Sequence, residues 1–186
     1  MKLPQPSQRD QAIIRLIIDH YKSTLRLGKK AMQKLVYLVN EISGVKSSYD
    51  FKFYTYGVYS TRLMNDLDVL RSFGALNISY DASNDSYNIS GGEKFSFLED
   101  PTQTLSNTQI EEIKEILDKL RGSSGRYLEL ITTIIFACKD APSLWSDQDT
   151  LVDRVKALKP KYSNAEIREG IVKSNSLIVG RPQSVK

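Results

Sequence analysis

Apolar positions along this chain change period twice, and the changes outline its elements. Over Gln8–Ser23 the period is helical: Ile13, Leu16, Ile17 and His20 fall on one face, with Ile14 and Tyr21 beside them. Met1–Pro6 ahead of it is a proline-containing leader expected to be loose. Thr24–Leu27 turns the chain, and a second helix is predicted over Lys29–Ile42. Its apolar face is Ala31, Leu35, Leu38 and Ile42, flanked by Val36 and Val39, with Gly44 closing it. The period then shortens to two. Tyr49–Ser60, YDFKFYTYGVYS, holds six aromatics in twelve positions, and Phe51 and Phe53 alternate with Asp50 and Lys52 as in a strand. Gly57 is expected to break that run at a corner. Ser60 is a natural N-cap, and Leu63, Leu67 and Leu70 mark a third helix over Thr61–Ser72 that ends at Phe73-Gly74. Ala75–Tyr80 and Ser86–Ser90 read as strands joined by the turn-rich DASND, a β-hairpin. Glu93–Leu98 adds a further strand or a turn.

The helical period returns for good after the connector Pro101–Leu105. Ser106 and Gln109 have capping-box spacing ahead of Ile110, Ile113, Ile116-Leu117 and Leu120. A turn over Arg121–Gly125 precedes the apolar helix Tyr127–Cys138. Another helix starts at Ser146 or Asp147 and is stopped by Pro160, and Ser163 with Glu166 opens a last one through Ile167 and Ile171. The chain has no internal repeats. The predicted fold is α+β and predominantly helical. A winged helix-turn-helix-like half with a hairpin wing (1–100) is followed by a helical half sharing its core (101–175) and a flexible tail (176–186).

Composition narrows the function classes. At 40% hydrophobic and 26% charged residues the chain reads as an ordinary globular protein. One cysteine rules out an internal disulfide, and one histidine argues against a histidine-based metal site or triad. The N-terminus lacks a signal-peptide h-region, and Tyr127–Cys138 is too short and polar to span a bilayer, so a cytoplasmic, non-membrane protein is expected. There is no G-x-G-x-x-G, phosphate loop or G-x-S-x-G, so neither an enzyme nor a cofactor is expected. Residues 1–97 carry 13 Lys/Arg against 9 Asp/Glu, the whole of the net +4; residues 98–186 carry 13 of each. A polyanion partner is therefore permitted at the first half only.

Several stretches together resemble the YwgA-like family of small prokaryotic proteins. They are LGKKAMQKLVYLVNE (27–41), YDFKFYTYGVYSTRLMNDLDVLRSFGAL (49–76), GRYLELITTIIF (125–136) and LKPKYSNAEI (158–167). The second follows that family's F-x-x-Y-x-YGPYS-x-x-L-x-x-x-L-x-x-L pattern. The first half also resembles, more distantly, the SocA/Panacea antitoxin domain. Val58 departs from both, since proline is usual there, and leaves φ free before the third helix. The resemblance implies a winged-helix-like core, a regulator or antitoxin-like neutraliser, and no enzymatic activity.

Two functions follow as expectations. The first is a winged-helix DNA-binding regulator. Arg26, Lys29, Lys30 and Lys34 would contact phosphate, Arg62, Asn65 and Arg71 would lie in the groove, and Lys94 near the wing would assist. The helical second half would supply a homodimer or protein contact. The alternative is a protein-interaction module, because the third helix sums to zero charge and the wing tip carries Asp81 and Asp85. Asp66 and Asp68 discriminate: on the helix's outer face they would repel phosphate and tolerate a basic protein. The aromatic run is expected to fill core rather than stack bases. Glu129, in the first turn of an apolar helix, needs a partner if buried, with Lys159 or Arg126 as candidates. His20 and Cys138 read as structural.

Overall fold

The computed structural model describes residues 6–22, 27–83 and 85–178. Helix α2 (Lys29–Ile42) lies at its centre, with nine consecutive buried residues, Met32–Asn40. A helix buried all round must satisfy its polar residues internally. Gln33 does so by clamping Ser60: its Nε2 donates to the Ser60 carbonyl (3.0 Å) and its Oε1 accepts from the Ser60 N–H (2.8 Å). Asn40 holds the loop after α2 in the same way through Ser47 (2.8 and 3.1 Å). Helix α1 (Gln8–Tyr21), capped by Ser7, packs against α2. Its fully buried Asp10 accepts from the Ser7 hydroxyl and from the Ser48 N–H and hydroxyl.

The aromatic segment forms a hairpin in place of the expected strand and corner. Strands β1 (Lys52–Tyr54) and β2 (Gly57–Tyr59) pair antiparallel, Phe53 opposite Val58. Gly57, at φ 92°, adopts a conformation open to few other residues, so it resumes pairing where the sequence suggests a break. Ser60 then caps α3 (Thr61–Phe73), which ends in left-handed Gly74. Strands β3 (Leu76–Asp81) and β4 (Ser86–Gly91) form the second hairpin, with Ile78 opposite Ile89. The Ile89 N–H donates to the Leu27 carbonyl (2.8 Å), tying this hairpin to the segment before α2. Phe95–Phe97 is a single 3₁₀ turn.

A short helix, α4 (Pro101–Thr104), occupies the expected connector. Helix α5 (Asn107–Lys119) carries both bonds of the Ser106–Gln109 capping box. Then come α6 (Gly125–Lys139), α7 (Gln148–Leu158) and α8 (Asn164–Ile178). Ser163 and Glu166 exchange the reciprocal bonds that open α8. Helix α8 buries Leu177, and residues 179–186 lie outside the described residues. The described residues thus form an α+β, predominantly helical fold of eight α-helices and two small antiparallel hairpins.

Helix α6 joins two hydrophobic clusters. Leu128, Ile131 and Ile135 face the larger one, which collects residues from Ala12 to Leu177. Leu130, Ile134, Ala137 and Cys138 face the smaller one, with α7, α8 and fully buried Tyr162. The first turn of α6 is thereby fixed against α2 and β2, which brings Glu129 and the lysines of α2 to one place.

Candidate functional site

Two surfaces carry chemistry. The first is built on α3 and the β3–β4 hairpin, with three of the expected nucleic-acid residues on α3 itself. Arg62, Asn65 and Arg71 are exposed on α3. Asp66 turns inward, where burial raises its pKa, and Arg62 Nε stands 4.0 Å from its carboxylate. Asp68 is exposed and paired with Lys29 (2.9 Å), whose Nζ also lies 5.1 Å from the Tyr87 ring centroid. Lys94 Nζ sits 4.8 Å from the Phe73 ring centroid. Arg26 lies outside the described residues.

Aromatic rings dominate the rest of this surface. Phe73, Tyr80 and Tyr87 are all exposed. Tyr80 and Tyr87 stand opposite each other in the hairpin register, ring centroids 5.3 Å apart. The Tyr80 hydroxyl donates to Asp85 at the hairpin turn (2.7 Å). Of the hairpin's two carboxylates, Asp85 is thus engaged with an aromatic side chain and Asp81 with Ser83.

The second surface is a lysine cluster around the β1–β2 turn. Glu129 of α6 accepts from Lys159 (2.8 Å) and Lys161 (2.7 Å). Lys159 is buried, also donates to the Thr55 carbonyl, and lies over the Phe53 ring. Arg126, the other candidate partner, pairs instead with Glu166 across the mouth of a pocket of about 200 Å³ between α6 and α8. Lys34 is buried, only 5% exposed, and donates one long hydrogen bond (3.4 Å) to the Lys30 carbonyl of its own helix. Lys30 is exposed, with Nζ 5.0 Å from the Tyr56 ring centroid. The turn's rings, Tyr54 and Tyr56, point to solvent, whereas Tyr49 is buried and Phe51 and Phe53 are half-buried against the core.

The ionisation states follow from these contacts. Burial would raise the pKa of Glu129, but hydrogen bonds from Lys159 and Lys161 and their charges hold it below the ordinary carboxylate value. Burial lowers the pKa of Lys34; Glu129 opposes this, while Lys30, Lys159 and Lys161 reinforce it. Folded Lys34 thus binds its proton less tightly than in the unfolded chain. Its contribution to stability should rise with pH between its lowered folded value and the ordinary 10.5. Lys34→Met should remove that slope in urea titrations across the alkaline range; an unchanged slope would assign it to other groups.

Lys159 was legible as a partner for Glu129, but Lys161, Tyr56 and the Tyr80–Tyr87 pair were missed. One signal was present, since Lys-Pro-Lys (159–161) directly follows a helix end; that for the Tyr80–Tyr87 pair was not, because the expected five-residue loop sets Tyr80 against Ser86, whereas the strands extend to pair Asp81 with Ser86 and Tyr80 with Tyr87. His20 lies 3.4 Å from Asp118 and 3.1 Å from Arg121, and burial lowers its pKa. Cys138 is buried, and burial pushes its thiol up to about 11, so it is unreactive near neutrality. Among the described residues no cluster of His, Cys, Asp or Glu could hold a metal ion, and no helix is long and apolar enough to cross a membrane.

No family model matches the chain. A protein of Bacillus subtilis (strain 168), "Uncharacterized protein YwgA", is 25% identical over 150 residues, covering 78% of this chain and 83% of its own length. The chain is similar to this protein over most of its length. Because the alignment covers most of both chains, the similarity extends beyond either half alone.

Proposed function

We propose that this protein is a non-catalytic, winged-helix-like interaction module that binds a protein partner, in the manner of an antitoxin-like neutraliser or a subunit of a larger complex. One observation carries the reading. The surface of α3 and the β3–β4 hairpin exposes Phe73, Tyr80 and Tyr87, while Lys29 beside it is neutralised by Asp68. Rigid exposed aromatics with few free charges characterise protein-binding hot spots. The winged-helix comparison is supported by the order α1, α2, α3 and hairpin, and by the bond from the Ile89 N–H to the Leu27 carbonyl, which ties β4 to the residue ahead of α2. The distant SocA/Panacea resemblance of the first half agrees with an antitoxin-like role.

Duplex DNA binding is the second reading, favoured by one observation. Asp66 turns inward, so Arg62, Asn65 and Arg71 stand on α3 with only Asp68 among them. Against it, Lys34 is buried and Lys29 already has its counter-ion.

The test compares the wild type with a Phe73→Ser/Tyr80→Ser/Tyr87→Ser variant, each purified from the native host. The variant should lose a co-purifying protein while its unfolding midpoint stays close to wild type, because exposed positions contribute little to stability. Identical co-purification would count against this surface.

A further inference from the structure

We propose that the lysine cluster at the β1–β2 turn is a binding site for a terminal phosphate group, held by Lys30, Lys34 and Lys161 beside Tyr56. This inference is independent of the protein-binding surface on α3. Four lysines share this site: Lys159 and Lys161 pair with its one carboxylate, Glu129, which packs under Gly57 of the turn, while Lys30 stands over the neighbouring Tyr56 ring and Lys34 lies one turn along α2. Glu129 is consumed by Lys159 and Lys161, one on each oxygen. Among the described residues, neither Lys30 nor Lys34 has a carboxylate within ion-pair distance.

Lys34 makes the arrangement more than a solvated lysine face. It is 95% buried by its 5% exposure, yet its ammonium has a single weak acceptor, the Lys30 carbonyl at 3.4 Å. A lysine buried without a counter-charge is destabilising, and an ammonium carries three donors. The turn above it is fixed, because buried Lys159 grips the Thr55 carbonyl from below. Lys30 on α2 and Lys161 after α7 each lie against a tyrosine ring, Tyr56 and Tyr162. The charges of Lys30, Lys159 and Lys161 lower the proton affinity of Lys34, so an anion beside it relieves repulsion already present.

The donor set selects the ligand class. All the donors offered are lysines, which act as point charges toward tetrahedral oxyanions; the neighbouring guanidinium, Arg126, is held by Glu166 and the Lys161 carbonyl. The cluster's excess of three positive charges favours a dianion over a monoanion. A phosphodiester carries one charge and two bulky substituents, so a terminal phosphate, free or as a monoester, matches the charge of this cluster better than a nucleic-acid backbone does.

Inorganic phosphate and pyrophosphate, titrated at constant ionic strength against the full chain by calorimetry, test this. Saturable one-to-one binding is expected, stronger for pyrophosphate, together with a raised unfolding midpoint that chloride does not reproduce. Lys30→Gln and Lys161→Gln, both on exposed side chains, should each weaken binding about tenfold, and Lys34→Met by more. Blunt duplex DNA lacking 5′-phosphates should not compete. If Lys34→Met fails to fold, the two exposed variants still decide the matter. The absence of saturable binding, wild-type affinity in both Lys30→Gln and Lys161→Gln, or competition by the diester duplex would each overturn the proposal.

Discussion

Glu129→Gln should destabilise the protein by about 3 kcal/mol, near the low end of the range for breaking a buried ion pair from one side. The cost comes from what is left behind. Lys159 is almost fully buried and cannot turn to water, so its ammonium loses its counter-ion in a low-dielectric site. Lys161 is about half exposed and recovers hydration, which limits the loss. A Glu129→Gln/Lys159→Met double variant should regain much of the stability, because it removes the stranded charge with the carboxylate. The pH dependence has a definite sign. Glu129 has a folded pKa below the ordinary 4.5, so its stabilisation is complete above 4.5 and is lost as pH falls through the folded value. Urea unfolding at neutral pH checks the first point and acid titration the second. A single variant within about 0.5 kcal/mol of wild type would mean that Lys159 finds other partners.

Gly92→Ala is the second large effect, on the order of 3 kcal/mol. A Cβ at residue 92 would meet the Gly74 carbonyl oxygen at 2.4 Å and backbone carbons of Gly74 and Ala75 at 3.1 and 3.2 Å. These are main-chain atoms at the junction of α3 and β3, so no side-chain rotation relieves the clash. The same junction holds two backbone bonds, Gly92 N–H to Ala75 O and Lys94 N–H to Gly74 O, both 2.9 Å. Displacing it should weaken the seating of the β3–β4 hairpin on α3. Faster amide exchange at Ile78 and Ile89, with a lowered unfolding midpoint, is the expected result. Exchange unchanged from wild type would show that the junction can shift without cost.

Local signals account for most of what could be read in the sequence. The predicted bounds of α2 coincide with those observed, Lys29–Ile42, because glycines flank an uninterrupted apolar face. Ser60 and Gly74 bracket α3, and both capping boxes form, since each depends on residues three apart. Asp66 could have been placed on the inner face, for it follows Leu63 by three residues and precedes Leu70 by four. The lysine cluster was less accessible. Its members are separated by up to 131 positions, from Lys30 to Lys161, and meet only because α6 packs on α2 and β2. Lys34 reads as one more charge on a basic helix, and its burial depends on neighbours that no local pattern specifies. The aromatic run divides for a similar reason: the hairpin turn sends Tyr54 and Tyr56 outward while Tyr49 enters the core.

The most direct test of the α3–hairpin surface as a protein-binding rather than a DNA-binding face is retention of random-sequence duplex DNA by the purified chain across a salt series. No retention at low salt is predicted, because Lys29 is neutralised by Asp68 and Lys34 is buried. Tight binding that falls steeply with salt, with a slope flattened by Arg62→Ala/Arg71→Ala, would contradict the account and make the exposed residues of α3 a phosphate-contacting surface.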